Sequence, residues 1–311
     1  MRKFISKVVL FIIILLCVVF LYEKALALRP NEFSYKKEYI EKNHDKIKIL
    51  IMGHSQLEQG LIPSLIGDSI FNFAIEGRSN YYDSELLKRY LPVLHNIKCV
   101  IWPLSYNFQY NKGQNVTISD IFNGRKGMEN TYRCMYYKYM DIGCGKWSFM
   151  FWPETFNSKY EFAKRFFTSD LKTLTRCDSL GFHSNGPHNL ANMNQTLPTE
   201  YNYDDESVKE KLKGGMYNIN NIAQLCKDKG IRLIVVTPPA YKNYQSKLTK
   251  RGLLELSRVV SSMKKIYPEI EYKNYLFDNR FLIEDFYNSS HLSEIGAIKF
   301  TKAVKNDFSL N

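Results

Sequence analysis

Short apolar runs separated by amphipathic stretches set the rhythm of this chain. Ile47, Ile49, Leu50, Ile51 and Met52 form the first run, flanked by polar residues and closed by Gly53-His54-Ser55. A short run with little alternation, bounded by glycine, predicts a strand buried on both faces, as in a parallel sheet. Ser69 to Ile75 and Lys98 to Leu104 repeat the signal, with a helix expected between them from about Tyr81 to Leu94, where Leu86, Leu87, Tyr90, Leu91 and Leu94 recur at helical spacing. The rhythm returns with a helix around Tyr217 to Lys229, closed by Gly230, and the run Ile231 to Thr237, stopped by Pro238-Pro239. A long helix from about Leu248 to Tyr267, a last strand at Ile270 to Leu276 and a final helix to about Phe308 complete the series. Strands alternating with helices predict an α/β fold: a doubly wound parallel sheet of about five strands flanked by helices.

Two regions depart from this rhythm. Between about 108 and 205, Tyr, Phe, Trp, Asn and Gly are frequent and no period dominates. So long a stretch is not a loop inside a compact domain, so it is expected to be an insertion packed over the carboxyl edge of the sheet. Its aromatics, such as Trp147, Phe151 and Trp152, suit stacking on sugar rings, although burial is the commoner role for such residues. At the other end, Arg2, Lys3 and Lys7 precede the uncharged run Val8 to Tyr22, which with Phe4 and Ile5 approaches the ~20 residues that span a bilayer. Basic residues on that side hold it in the cytoplasm and send the remainder outward, into the cell envelope. Ala25-Leu26-Ala27 also reads as a signal-peptidase site, which would release the body. The organisation expected is therefore an anchor or signal over 1–27, a polar linker with at most helical character over 28–45, and one α/β domain over 46–311.

The 311 residues carry a formal charge of +12, with 45% hydrophobic and 24% charged residues. Such a surplus suits anionic lipid, an acidic polymer or nucleic acid. The lysines are scattered, however, with no zinc-ligand spacing and no aromatic RNA-binding signature, which argues against nucleic acid. Six cysteines in a chain this long do not form a disulfide framework. Cys99 and Cys226 fall on apolar faces, and one pair among Cys134, Cys144 and Cys177 is permitted by export. His183 and His188 have no spaced acidic partner and read as structural.

Ser55 stands where the first strand gives way to a helix, at the edge where open α/β folds place ligands. Taken alone, it suits a helix cap equally well. Its turn, the Asn72 to Gly77 turn and the closing segment Asn288-Ser289-Ser290-His291-Leu292-Ser293 with Gly296-Ala297 together resemble the SGNH, or GDSL-type, hydrolase family. The resemblance covers the sheet and the order of its blocks, not the insertion. It implies a flavodoxin-like sheet, Ser55 as nucleophile, His291 as general base, and the N–H groups of Ser55 and Gly77 as oxyanion donors, with Asn107 as the third. It further implies action on a small ester or an acylated glycan at the cell surface, with no metal or organic cofactor. Three places depart from the family pattern, the first being Ser105-Tyr106-Asn107-Phe108, which stands where the family has Gly-x-Asn-Asp. His54 replaces an Asp beside the nucleophile, and Asn288 replaces the Asp that orients the base. An Asn lacks the charge that stabilises the imidazolium. Three readings follow: a Ser–His pair oriented by Asn288 or a carbonyl, another acid such as Asp285 in its place, or a catalytically weak protein that binds glycans or serves envelope assembly.

Overall fold

A computed structural model describes residues 1–27, 32–106, 176–195, 197–198 and 201–310. The chain divides into two compact units, one of residues 1–35 and 124–176, the other of residues 36–123 and 177–311. In the first, helix α1 (Arg2–Ala27) includes the span Arg2–Leu21, long and apolar enough to cross a membrane, a test that a signal sequence also passes. Its apolar side chains, Phe4, Leu10 and Phe11 among them, are exposed. Helix α2 (Glu32–Asn43) follows, and from Lys36 onward it belongs to the second unit.

The second unit is built on a five-stranded, all-parallel sheet: β1 (Ile49–Ile51), β2 (Ile70–Asn72), β3 (Cys99–Pro103), β4 (Arg232–Thr237) and β5 (Glu271–Asn274), in the order β2-β1-β3-β4-β5. Between them run α3 (Ser55–Glu58), α4 (Pro63–Ile66), α5 (Asn80–Tyr90), α6 (Glu206–Asp228), α7 (Lys242–Gln245) and α8 (Lys250–Ile266), with α9 (Glu294–Asp307) last. Ile51, Ile101, Ile234 and Val236 pack with Ala297, Phe300 and Val304 of α9. The residues between them, Leu50, Val100, Trp102, Leu233 and Val235, are equally buried on the opposite face, as the strand period of two requires. There α6 lies against both α5 and α8. Both faces of the sheet are thus covered, the condition under which strands read as unbroken apolar runs. The chain leaves β1 toward β2 and returns to the other side of β1 as β3. The carboxyl ends of β1 and β3 therefore flank the switch point of the sheet, where such folds open a crevice.

Three elements differ from the sequence expectation. Residues 28–45 are not merely a linker: α2 buries Ile40 fully, stacks Tyr39 on Phe71 with ring centroids 4.0 Å apart, and buries Lys36. Its low amphipathicity hid it, because one of its buried positions is a lysine. Helix α6 begins at Glu206 rather than near Tyr217. Gly214-Gly215 breaks the apolar period there, yet Asp205 caps the helix by accepting from Ser207 N–H at 2.7 Å. At its far end Gly230, at φ +63°, completes a Schellman motif: Gly230 N–H donates to Lys227 O and Ile231 N–H to Cys226 O. The last strand is the short Glu271–Asn274, half-exposed and charged, which suits a sheet edge. At the opposite edge, Asn72 N–H donates to Leu180 O at 2.9 Å, so the chain around Leu180 covers β2. Cys99 and Cys226 are buried as expected, whereas Cys134, Cys144, Trp147, Phe151 and Trp152 lie outside the described residues.

Candidate active site

Beyond β1 the backbone turns at Gly53, which has φ +109° and sits so close to β3 that a Cβ would overlap the Pro103 ring. Only glycine meets both conditions. His54 then extends and caps the single turn α3 with its own Nδ1, leaving the Ser55 hydroxyl uncommitted to capping. With four residues, α3 has little macrodipole, so any anion held here is held by individual N–H groups.

The far end of the chain supplies the partner. Ser55 Oγ lies 2.7 Å from His291 Nε2, across 236 positions of sequence. The ring is oriented from behind by Asn288, whose Oδ1 is 3.0 Å from His291 Nδ1. That oxygen also accepts from the N–H groups of Ser290 at 3.0 Å and His291 at 2.9 Å. Main-chain N–H groups can only donate, so they fix which end of the Asn288 amide faces the ring. An oxygen there requires the proton on Nδ1 and a lone pair on Nε2, aimed at the Ser55 hydroxyl. The tautomer of the His291 ring is thus set by a neutral side chain. Burial drives the His291 pKa down to about 4, so the ring is an uncharged base throughout the neutral range.

The Ser55 turn and the His291 loop are tied together directly. Gln56 Nε2 donates to Ser290 O at 2.9 Å. Asn185 Nδ2 donates both to Gln59 Oε1 and to Leu292 O, each at 3.0 Å. Ser289 Oγ donates to Gln195 O at 2.5 Å, and one turn of the same stretch joins α3 through His183 N–H to Glu58 O. Residues 183–195 thus run past both catalytic candidates. His183 and His188 take part through their place in this stretch, His188 Nδ1 lying 2.6 Å from Phe286 O. Among the described residues no cluster of His, Cys, Asp and Glu suits a metal ion.

A third loop, Phe73 to Ser79, faces α3. Asn72 Nδ2 donates to Leu57 O and Leu61 O, both at 2.9 Å, and its Oδ1 accepts from Ala74 N–H at 3.1 Å. Buried Lys36 donates to Ala74 O and to Glu58 Oε1, and Glu58 Oε2 accepts from Glu76 N–H at 2.7 Å. These bonds carry the loop to Gly77, exposed at φ +72°. Among the described residues, neither the Ser55 N–H nor the Gly77 N–H has a hydrogen-bond partner. Sequence reading missed Lys36, Glu58 and Asn185, whose roles rest on contacts distant in the chain.

His54 is nearly buried, and desolvation, then the charges of His291 and Arg78, lower its pKa to about 3. Its Nδ1 accepts from Gln56 N–H and its Nε2 lies 3.2 Å from Ser105 Oγ, so it braces the turn against the end of β3. Asp285 is no substitute for the family acid: its carboxylate is bound to Lys299 and accepts from Leu282 N–H at 2.8 Å. Asn107 lies outside the described residues.

Comparison with known proteins adds little. No protein-family model matches the chain, and no curated protein does. Among solved structures, one from Streptococcus pneumonia, of a protein whose name refers to platelet activating factor, aligns at 14% identity over 95% of this chain and 99% of that one, with a TM-score of 0.43.

Proposed function

We propose that this chain is a membrane-anchored or exported serine esterase or acyltransferase that acts on an O-acylated carbohydrate or a similar small ester. The observation that carries the reading is the line of hydrogen bonds Ser55–His291–Asn288, with the ring in the basic tautomer. Free serine is a poor nucleophile and needs a base within reach. Here His291 Nε2 takes the Ser55 proton as Oγ attacks the ester carbonyl carbon. The carbonyl oxygen becomes an oxyanion beside the idle N–H groups of Ser55 and Gly77, which donate to it. Collapse breaks the bond to the leaving alcohol, which receives the proton from Nε2 and departs. The acyl group then rests on Ser55 until a second hydroxyl, of water or of a sugar, is deprotonated by His291 and attacks it; collapse breaks the bond to Ser55 Oγ, which takes the proton back from Nε2. Water makes the protein an esterase, a sugar an acyltransferase.

A second reading is favoured by one observation: Asn288 gives the imidazolium no counter-charge. On that reading the site binds an acylated glycan and turns it over slowly or not at all. Labelling of the full-length chain in detergent micelles with a fluorophosphonate separates the two. Labelling of wild type and not of Ser55→Ala is expected from an activated serine. A folded wild type that resists the probe sinks the enzymatic reading and leaves the binding one.

A further inference from the structure

Arg78 and Asp83 form an ion pair with no exposed side-chain surface, Arg78 Nε lying 2.7 Å from Asp83 Oδ1. Neither residue touches Ser55 or His291. Both instead touch Gly53: its N–H donates to Asp83 Oδ1 at 3.2 Å and its carbonyl accepts from Arg78 Nε at 3.0 Å. Trp102 Nε1 donates to Asp83 Oδ2 at 2.8 Å, which anchors the pair to β3. We infer that Arg78, with Asp83, is a positioning residue for acyl transfer, clamping both peptide groups of Gly53 and so setting the distance between the two oxyanion donors. The inference rests on the esterase or acyltransferase reading above.

The geometry argues for this role in two ways. Gly53 is held at φ +109°, two residues before Ser55, where a small rotation would swing the Ser55 N–H and hydroxyl together. Arg78 directly follows Gly77, so a side chain reaching from Arg78 to Gly53 links the loop of one donor to the turn of the other. Energetics agree. Removing two charges from water costs more than an apolar pair of the same size, and a pair kept for stability alone has no need of charge. The guanidinium is also only partly satisfied: it lies 5.0 Å from the Phe73 ring centroid, and among the described residues its two terminal nitrogens have no hydrogen-bond partner. What Arg78 supplies is a rigid planar donor at one fixed place, which a lysine does not reproduce.

Two variants of the full-length chain test it, assayed with p-nitrophenyl acetate and the fluorophosphonate. Arg78→Lys keeps the charge but not the fork. The double variant Arg78→Met/Asp83→Asn removes both charges together and leaves no buried charge unpaired. Each is expected to keep a cooperative thermal transition, with kcat lowered about a hundredfold, KM within threefold of wild type and phosphonylation slowed by the same factor as kcat. A folded double variant with kcat within threefold of wild type overturns the inference and leaves the acyl-transfer reading intact. So does a change confined to KM, or loss of folding in both variants, which would assign the pair to stability alone. Wild type inert toward both reagents overturns the acyl-transfer reading, and this inference with it.

Discussion

On the proposed esterase or acyltransferase reading, replacing Asn288 by Asp is the sharpest probe of a base oriented by a neutral amide. The substitution is nearly isosteric, and the new carboxylate would accept from the same three donors: Ser290 N–H, His291 N–H and His291 Nδ1, all within 3.0 Å of the present oxygen. What changes is the charge behind the ring. Opposite charges about 4 Å apart attract by about 4 kcal/mol at an effective dielectric of 20. A neighbouring carboxylate of this kind favours the protonated ring and moves its pKa upward by about two. In the native protein burial holds the ring at about 4. The acid limb of kcat/KM is therefore expected near pH 4 for the native protein and about two pH units higher for Asn288→Asp.

The rate above the limb follows from the same charge. Loss of the acid from the well-studied triad costs about 10⁴-fold, in part through the wrong tautomer. Asn288 already imposes the right tautomer, so only the electrostatic part remains to be gained. We expect Asn288→Asp to raise kcat at pH 8 by about ten- to a hundredfold, or about 1.4–2.7 kcal/mol of transition-state stabilisation. Below the shifted limb the advantage shrinks, because the variant's base is then mostly protonated: a tenfold gain is cancelled near pH 5, a hundredfold one only below about pH 4. The assay is p-nitrophenyl acetate hydrolysis from pH 4 to 9. An unmoved acid limb would refute the reasoning, since it would mean that residue 288 does not face the ring in the working enzyme. A moved limb with no gain at pH 8 would mean that charge on the imidazolium does not limit the reaction.

Three further outcomes follow from the same contacts. Gly53→Ala combines φ +109° with an overlap on Pro103, and should cost about 3 kcal/mol of stability in a urea titration. Lys36→Met withdraws the ammonium from the buried Glu58 carboxylate and should cost about 3–5 kcal/mol, most of it recovered in Lys36→Met/Glu58→Gln. Equal stability of the single and double variants in thermal melts would contradict this. Folded-state pKa values of about 3 for His54 and about 4 for His291 lie below the unfolded value near 6.5, so the unfolded chain binds more protons between those limits. The stability they confer is complete above pH 6.5 and is lost as pH falls toward 4. His54→Gln should reduce the difference in unfolding free energy between pH 7 and pH 4.5 by about 2 kcal/mol.

The parts of this fold that were legible in the sequence are those whose cause is local. The strand before Ser55, the strand at Ile231 and the Gly230 cap each depend on a pattern a few residues long, and each was found within a residue or two. The pairing of Ser55 with His291 was legible only through the resemblance of both ends of the chain to turns of one known family; the residues themselves carry no mark of proximity. Helix α2 was misread for the opposite reason. Its inward face presents Lys36, and a lysine on a polar helix signals solvent unless its partner is known. That partner, Glu58, reads equally well as a solvated helix residue. Each charge is buried because the other is, and neither half of the sequence shows it.

By analogy with the aspartate it replaces, Asn288 reads as a lost charge that leaves a Ser–His pair oriented by its own oxygen or a carbonyl, another acid in its place, or a weak site. Its surroundings fit the first of these. An aspartate stabilises the imidazolium and orients the ring, and the second task needs only an acceptor whose direction is fixed. Two main-chain N–H groups fix it here. A charge there would also work against keeping the base neutral, whereas burial alone holds His291 neutral to about pH 4. An aspartate would make the base stronger and confine it to higher pH; the asparagine leaves it weaker and competent in acid. On the proposed esterase or acyltransferase reading, the substitution therefore trades rate at neutral pH for range.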